Sequence, residues 1–424
     1  MSSEFLEEEA HSFLMGLASY ERLAGTPGEK EACKYIISIM EKAGYATLLE
    51  EFTVKTFRIL RNELHVLEPW SEQIDCRGVG FSGSTPEKGV VAPLRYVETG
   101  DPLLLSGTRG EILLFSESLP TVEKLFELSK YEPSGIVVSE GTPFRKPSQV
   151  DRPFEVSRRF RVPTVFISFE DAFRLVRNNA SKARLVLTQD EFDADTCNIV
   201  VEKKGVKYPE EIIVVGAHYD TVYGVKGGID NAGGVALLME LAKSVRSLDL
   251  KRTVRFVFFS GEELGLKGSF NYVEKHKDEV EKIMMMINLD VNGGAIGGCN
   301  SVVTGPAEVK TYLEIMSKEL GVNLSVSQDV YSSDSVPFSN KGVPSVNFFR
   351  RSGAGVYGHT PDDDARFTAP VGFKMIGMIV RGFLIRIANA ESFPFKHEVP
   401  EDVKKKIQEY LKNRGFEVPG ATSG

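Results

Sequence analysis

Hydrophobic and polar positions alternate in blocks along the second half of the chain. Apolar runs with the character of buried strands occur at 211–218, 252–260 and 282–290. Between the first two lies 231–248, where apolar residues recur at the three-to-four-residue spacing of a helix. Such alternation of strand and helix predicts an α/β fold with a largely parallel sheet covered by helices.

The first half of the chain contains two segments with different sequence patterns. Residues 28–44 have helical spacing and end at Gly44, which favours a helix cap, and a strand-like run follows at 46–54. From 58 to 195 prolines and short β-like runs dominate. These runs are GEILLF (110–115), SGIVVSE (134–140) and VPTVFIS (162–168). The pattern predicts a β-rich insertion at 58–195 into a main domain formed by 1–57 and 196–424.

Composition restricts the class of protein. The 424 residues carry a net charge of −8, which argues against nucleic acid as the main partner because phosphate binding needs a basic surface. The longest apolar stretch, 371–390, is interrupted by Lys374, Arg381 and Arg386, so we interpret it as a buried helix and expect no membrane partner.

Two further features concern the cellular compartment. The amino terminus has acidic residues where a secretory signal would have basic ones. The four cysteines are scattered along the sequence without metal-ligand spacing, which suits reduced thiols. We therefore expect a cytoplasmic protein.

Two of the six histidines lie in places typical of functional residues. His218 ends the strand at 211–218, and His359 lies in the polar loop YGHTPDDD. Either histidine alone is more typical of a hydrogen-bonded structural residue. Asp230, just before a helix, has the ordinary alternative role of an N-cap.

The residues at the ends of the three apolar strands favour a functional role over a structural one. These ends carry His218, the pair Glu262–Glu263 and Asp290, respectively. Ligands bind at the carboxyl ends of strands in open α/β sheets, and three such ends with potential metal ligands are hard to attribute to chance.

A count of charges supports a metal centre. Asp230, Glu263 and Asp290 together carry −3, which two divalent cations and one hydroxide would neutralise. With His218 and His359 added, these are the groups of a two-metal hydrolase. Imidazole and carboxylate suit Zn²⁺, with Co²⁺ or Mn²⁺ as substitutes.

Six segments in order resemble the successive motifs of the di-zinc aminopeptidases of clan MH, which include bacterial leucyl aminopeptidases and glutamate carboxypeptidase II. The segments are VVGAHYDTV, GGIDNAGGVALLMELAK, FVFFSGEELGLKGS, INLDVNGG, SDSVPFSNKGVPSV and GHTPDDD. The stretch ERLAGTPGEKEACKYI resembles the amino-terminal helix of that family, and the insertion resembles a protease-associated (PA) domain. The resemblance covers about 1–57 and 196–390 and implies a three-layer α/β/α fold with a mixed, largely parallel sheet.

The resemblance also implies roles for individual residues. His218 and Asp290 would bind one zinc ion, Glu263 and His359 a second, and Asp230 would bridge the two.

Around these ligands, the resemblance implies that Glu262 is the general base that activates a bridging water. Asp220 would hydrogen-bond His218, and Asp363 would do the same for His359. The expected substrates are peptides with a free amino terminus. A homo-oligomer is left open.

One departure from the family pattern concerns an aromatic residue. Relatives often have a tyrosine directly before the last histidine, where it helps to bind the oxyanion. Here Gly358 intervenes and Tyr357 is one residue further away, so the role of Tyr357 stays open. The segment 347–358 is a candidate wall of the substrate pocket.

Other functions remain as alternatives. A carboxypeptidase or dipeptidase of the same clan would use the same ligands. A second di-zinc peptidase family of this architecture usually inserts its extra domain after the glutamate pair, whereas the insertion here precedes His218. A glutaminyl cyclase would use one zinc ion, and an inactive receptor-like relative would have lost ligands that are intact here.

Overall fold

The computed structural model describes residues 5–116 and 121–416, which contain fourteen strands and twelve α-helices. The strands are β1 (Thr47–Glu68), β2 (Glu72–Ile74), β3 (Cys76–Gly78), β4 (Val90–Tyr96), β5 (Ile112–Phe115), β6 (Gly135–Ser139), β7 (Thr164–Ile167), β8 (Lys182–Lys203), β9 (Tyr208–His218), β10 (Arg252–Phe259), β11 (Ile283–Leu289), β12 (Gly297–Thr304), β13 (Leu324–Gln328) and β14 (Ser345–Ser352). The helices are α1 (Glu7–Leu17), α2 (Pro27–Lys42), α3 (Pro102–Leu105), α4 (Val122–Leu128), α5 (Phe154–Ser157), α6 (Phe169–Arg177), α7 (Gly234–Val245), α8 (Lys267–Lys275), α9 (Ala307–Glu319), α10 (Ser335–Asn340), α11 (Val371–Asn389) and α12 (Glu401–Arg414).

The centre of the main sheet is built from the strands that the hydrophobic pattern predicted. β9 lies between β10 and β11 and is parallel to both, with Phe259 opposite His218. β14 continues the parallel part beside β11, whereas β12 and β8 run antiparallel to their neighbours β14 and β10. The prediction of a mixed, largely parallel sheet is confirmed, and the carboxyl ends of β9, β10 and β11 lie at one edge.

Helices cover both faces of this sheet. Alternate residues of β9, such as Ile213 and Val215, pack into a core shared with α1, α2, α7 and α11. The intervening residues Ile212 and Val214 pack on the opposite face, with Tyr272 of α8 and other residues. Because β9 is apolar on both faces, its sequence shows a continuous apolar run rather than alternation. The three-layer prediction is confirmed.

The apolar stretch near the carboxyl end is a core helix. α11 buries residues such as Phe373, Ile376 and Val380 in the core that it shares with α1 and α7. This confirms its interpretation as a buried helix. In the described part of the chain, we find no helix whose length and apolar character together would let it cross a membrane.

The insertion is joined to the main domain through two long strands. β1 and β8 pair antiparallel from Thr47 opposite Val201 to Glu68 opposite Lys182. The predicted boundaries at 58 and 195 both lie inside these strands. The two parts of the chain therefore share continuous backbone and hydrogen bonds rather than a flexible linker.

The inserted residues themselves form a small α/β unit. β4, β5, β6 and β7 are parallel, and helical segments connect them. The insertion thus contains helix as well as strand, since α4, α5 and α6 lie among its strands. Its resemblance to a PA domain stays a prediction.

Two cysteines that are far apart in the sequence meet in the fold. Cys33 of α2 and Cys197 of β8 are separated by 164 positions, yet their sulfur atoms lie 3.7 Å apart. All four cysteines are free thiols.

Candidate metal centre and active site

The edge formed by β9, β10 and β11 carries the ionisable residues that were expected there. His218 is the last residue of β9 and is buried, and Asp290 follows β11 directly. β10 is followed by Ser260 and Gly261 before the two glutamates. Gly261 has φ of +72°, a conformation that side chains disfavour, so glycine lets the chain turn Glu262 and Glu263 into the site.

Asp230 and His359 reach the same place from loops. Asp230 lies in the segment 228–233 that precedes α7, with φ −112° and ψ 91°. Gly233 occupies the N-cap of α7, so Asp230 does not have the capping role that was its alternative. His359 lies in the turn after the short helix at 353–357 and has φ of +62°.

Four contacts divide the ligand atoms into two sets that share Asp230. His218 Nε2 lies 3.4 Å from Asp230 Oδ1 and 3.4 Å from Asp290 Oδ1. His359 Nε2 lies 3.3 Å from Asp230 Oδ2 and 3.4 Å from Glu263 Oε2. Ligand atoms about 2.0–2.1 Å from a tetrahedral zinc ion would be about 3.3–3.4 Å apart. Each set therefore has the nitrogen and oxygen donors and the spacing that zinc requires.

The pKa values of the site residues also indicate a cation site. Burial disfavours a charge on His359, yet the nearby carboxylates of Glu263 and Asp230 raise its pKa to about 10. Burial likewise opposes charge on His218, but Asp220, Asp230 and Asp290 raise its pKa well above the usual value. Burial raises the pKa of Glu263 to about 8. Acids confined away from water thus attract positive charge, which is the property a cation site needs.

The carboxylate of Asp220 holds both glutamates and faces the first histidine. Its Oδ1 accepts a hydrogen bond from the backbone N–H of Glu262 at 3.1 Å, and its Oδ2 accepts one from Glu263 at 3.2 Å. Oδ1 also lies 3.5 Å from Nδ1 of His218, which is longer than an ordinary hydrogen bond. Asp220 is fully buried. One side chain therefore fixes the relative positions of residues from two strands.

Asp363 has a different position from the one expected. Its Oδ1 accepts from the N–H of Ile229 at 2.9 Å, and its Oδ2 accepts from the N–H of Asp230 at 3.2 Å. The hydrogen bonds of its carboxylate thus go to the loop of Asp230, not to the His359 ring. The loop before α7 needs acceptors for these N–H groups, and Asp363 supplies them. Asp363 thereby orients the shared aspartate, Asp230.

Arg22, which the sequence analysis did not single out, forms hydrogen bonds to the loop that precedes Asp230. Its buried guanidinium donates to the carbonyl oxygens of Tyr219 at 2.7 Å, Lys226 at 2.5 Å and Gly227 at 3.1 Å. It also donates to Leu17 O at 3.0 Å. The arginine therefore ties the loop between His218 and Asp230 to the amino-terminal segment. In the sequence, only its position within the motif ERLAGTPG indicated a role for Arg22.

A cavity of about 400 Å³ opens above these residues. Its wall combines the metal-ligand candidates and Glu262 with residues from three other segments. These are Val150, Asp151 and Pro153 of the insertion, Tyr331 and Ser332, and Tyr410, Arg414 and Phe416 at the carboxyl end. These wall residues could not be predicted locally, because none belongs to the quoted motifs.

The aromatic residues near the site differ from expectation. The Tyr357 ring stacks on Phe367, with centroids 5.4 Å apart, and is not among the residues that line the cavity. Tyr331 lines it instead and packs against Phe349. The segment 347–358 is likewise not a wall of the cavity as described, because much of it belongs to β14 inside the sheet.

Asp334 is another acid near the site that the sequence analysis did not single out. It is fully buried, and neither carboxylate oxygen has a hydrogen-bond partner among the described residues. Burial raises its pKa to about 7, and its charge in turn acts on Glu262. It therefore adds negative charge behind the glutamate pair.

Comparison with known proteins finds similarity to one peptidase family. Residues 198–384 match the model of peptidase family M28. Aminopeptidase YwaD of Bacillus subtilis is 25% identical over 401 residues, covering 91% of this chain and 84% of that protein. Carboxypeptidase Q of Xenopus laevis is 26% identical, covering 77% and 74%. The structure of BSAP, a zinc aminopeptidase from Bacillus subtilis, superposes with a TM-score of 0.77 at 25% identity, covering 95% of this chain and 100% of that one. In its motifs, its site geometry and its fold, this chain is similar to the members of peptidase family M28.

Proposed function

We propose that this chain is an aminopeptidase with two zinc ions, which removes the amino-terminal residue from peptides. His218 and Asp290 would hold one ion, Glu263 and His359 the other, and Asp230 both. The observation that carries this proposal is the division of ligand atoms into two sets with spacings of 3.3–3.4 Å and one shared aspartate. Co²⁺ and Mn²⁺ fit the same donors.

Bound zinc would lower the pKa of a water molecule towards neutrality and polarise the carbonyl group of the substrate. Glu262 is placed to take a proton from that water. Its carboxylate borders the cavity beside Glu263 and has no hydrogen bond to another described residue, while its N–H is fixed by Asp220. Glu262 would then return the proton to the leaving amine, as a general base that becomes a general acid.

The relatives support exopeptidase activity of this kind. YwaD and BSAP are named aminopeptidases. The cavity of about 400 Å³ suits the end of a peptide rather than a folded segment. Its carboxylates are positioned to attract a free amino group. Intracellular location and homo-oligomerisation remain predictions.

A carboxypeptidase is the second candidate, on two specific observations. Several matched relatives are named carboxypeptidase Q. Arg414 also lines the cavity and supplies a guanidinium that would suit the carboxylate of a peptide.

The two candidates differ in which end of the substrate must be free. We would assay the zinc-loaded protein with a tripeptide, its N-acetyl form and its carboxyl-terminal amide, each with and without chelator. The aminopeptidase proposal predicts cleavage of the free and amidated peptides, no cleavage of the acetylated one, and loss of activity with chelator. Cleavage of the acetylated peptide from its carboxyl end would instead establish a carboxypeptidase.

A further inference from the structure

The insertion contributes a loop that passes directly beside His359. The N–H of Gln149 donates to the carbonyl oxygen of His359 at 2.7 Å, and Arg145 donates to that of Gly358 at 2.6 Å. Lys146 forms an ion pair with Asp362 at 2.9 Å. Contacts on both sides of His359 thus fix this loop against the metal-site turn, so its next residues have defined positions at the cavity.

Asp151 follows this loop and is held in place by its backbone neighbours. The N–H of Gly80 donates to Val150 O at 3.0 Å, and the N–H of Arg152 donates to Gly80 O at 2.9 Å. The buried guanidinium of Arg152 donates to Phe160 O and to the hydroxyl of Thr164, both at 2.9 Å. The residue between these anchors has little freedom to move away from the cavity wall.

The carboxylate of Asp151 lacks a protein partner. Beyond its own backbone N–H, it has no hydrogen bond or ion pair to another described residue, and Asp151 is half-buried in the cavity wall. Another acid of the insertion, Glu140, shows the ordinary arrangement, with Arg145 at 3.2 Å and the N–H of Ser148 at 2.5 Å. Withdrawing a carboxylate from water without a partner costs free energy, so a ligand that supplies positive charge is expected.

The position of Asp151 indicates which positively charged group of a substrate it would contact. The charged groups that act on its carboxyl include His359, a candidate metal ligand. In a peptide, the α-nitrogen is only about 2.5 Å from the carbonyl carbon of the same residue. A carboxylate in the wall next to the metal site is therefore near the α-nitrogen, whereas the charge of a lysine or arginine side chain would lie several ångströms further out.

We infer that the carboxylate of Asp151 binds the free α-ammonium group of the substrate, so that the inserted segment supplies amino-terminal recognition. This inference rests on the proposed aminopeptidase function. It gives the insertion a direct part in choosing substrates, besides its contacts to the His359 turn. Asp151 is a specificity-determining residue in this account, and it takes no part in metal binding.

The test compares Asp151→Asn, which removes the charge, with Asp151→Glu, which keeps it. Inhibition is measured with an amino-acid amide and with its α-hydroxy counterpart, which lacks the amine. In the wild type the amine binds more tightly; in Asp151→Asn this preference falls about 10- to 100-fold, the usual size for a charge-assisted hydrogen bond. With peptide substrates, the weaker binding appears as a higher KM, while zinc content is unchanged. Asp151→Glu keeps most of the preference and shows that the site tolerates substitution.

A matched control is Glu155→Gln, a charge removal four residues further on. Glu155 pairs with Arg158 at 3.3 Å, away from the catalytic cavity, so this variant keeps the wild-type preference. An unchanged amine preference in Asp151→Asn would overturn the inference, as would equal weakening of both inhibitors.

A further arm distinguishes the two sources of a substrate cation. A loss confined to substrates with amino-terminal lysine or arginine, with leucine substrates unaffected, would assign Asp151 to the side chain and overturn the α-ammonium role. Failure of the aminopeptidase proposal itself would be seen in the wild type, as cleavage of acetylated peptides whatever stands at position 151.

Discussion

Replacing Asp220 by Asn tests the idea that one buried carboxylate organises both metal sets. The variant keeps the shape of the side chain but has one acceptor oxygen instead of two. The Oδ1 position serves the N–H of Glu262 and faces His218, whereas Oδ2 serves only the N–H of Glu263. The amide oxygen should therefore occupy the Oδ1 position, and its NH₂ group would then face the N–H of Glu263.

The magnitude follows from that mismatch. One buried N–H without an acceptor lowers the free energy of unfolding by about 1–3 kcal/mol. Because Glu263 is displaced, the set that contains Glu263 and His359 should lose about 10- to 100-fold in zinc affinity, the usual effect of losing a partner of a metal ligand. The set with His218 and Asp290 should be affected less.

Competition between the protein and a fluorescent chelator measures both zinc-binding steps, and thermal unfolding of the metal-free protein measures stability. Asp195→Asn is the control, since Asp195 is an exposed aspartate that accepts from Thr53 at 2.9 Å on the surface of β8. Wild-type affinity in both steps for Asp220→Asn, or equal weakening of both, would refute the reasoning.

Four more substitutions test other parts of the site. Glu262→Gln should keep the zinc content and lower kcat by about 10²–10⁴-fold, because the proton acceptor is lost; appreciable residual turnover would assign the base elsewhere. Tyr331→Phe should lower kcat about 10-fold or more, since Tyr331 lines the cavity, whereas Tyr357→Phe, whose ring stacks on Phe367, should leave steady-state kinetics unchanged; the reverse ranking would contradict the structure. Arg22→Met should lower the free energy of unfolding by about 3 kcal/mol or more in denaturant titration, because several carbonyl groups lose their donor, and a stability equal to wild type would count against its role.

The ligand candidates were predictable because they stand where regular structure ends. His218, Glu263 and Asp290 each follow an apolar run, and the sheet brings these ends together through parallel pairing. Asp230 and His359 lie in loops: they were candidates because of their residue type, and the resemblance to known motifs assigned them to the same site. Periodicity alone would not have placed them at the same site.

The rest of the site depends on contacts between distant parts of the chain. Asp151 comes from the insertion, and its place beside His359 depends on hydrogen bonds across more than 200 positions of sequence. Arg414 reaches the cavity from the last helix. The predicted boundaries at 58 and 195 lie within β1 and β8, which continue through them, and an amphipathic strand gives no local signal of where a domain ends.

The central claim, that Asp230 is shared by two metal ions which act together, is tested most directly by titrating the metal-free protein with zinc while measuring bound metal and leucine-amide hydrolysis on the same samples. The account predicts that activity rises until about two zinc ions are bound per chain and that Asp230→Ala loses tight binding of both. Full activity at one ion per chain, with no change on binding a second, would contradict it.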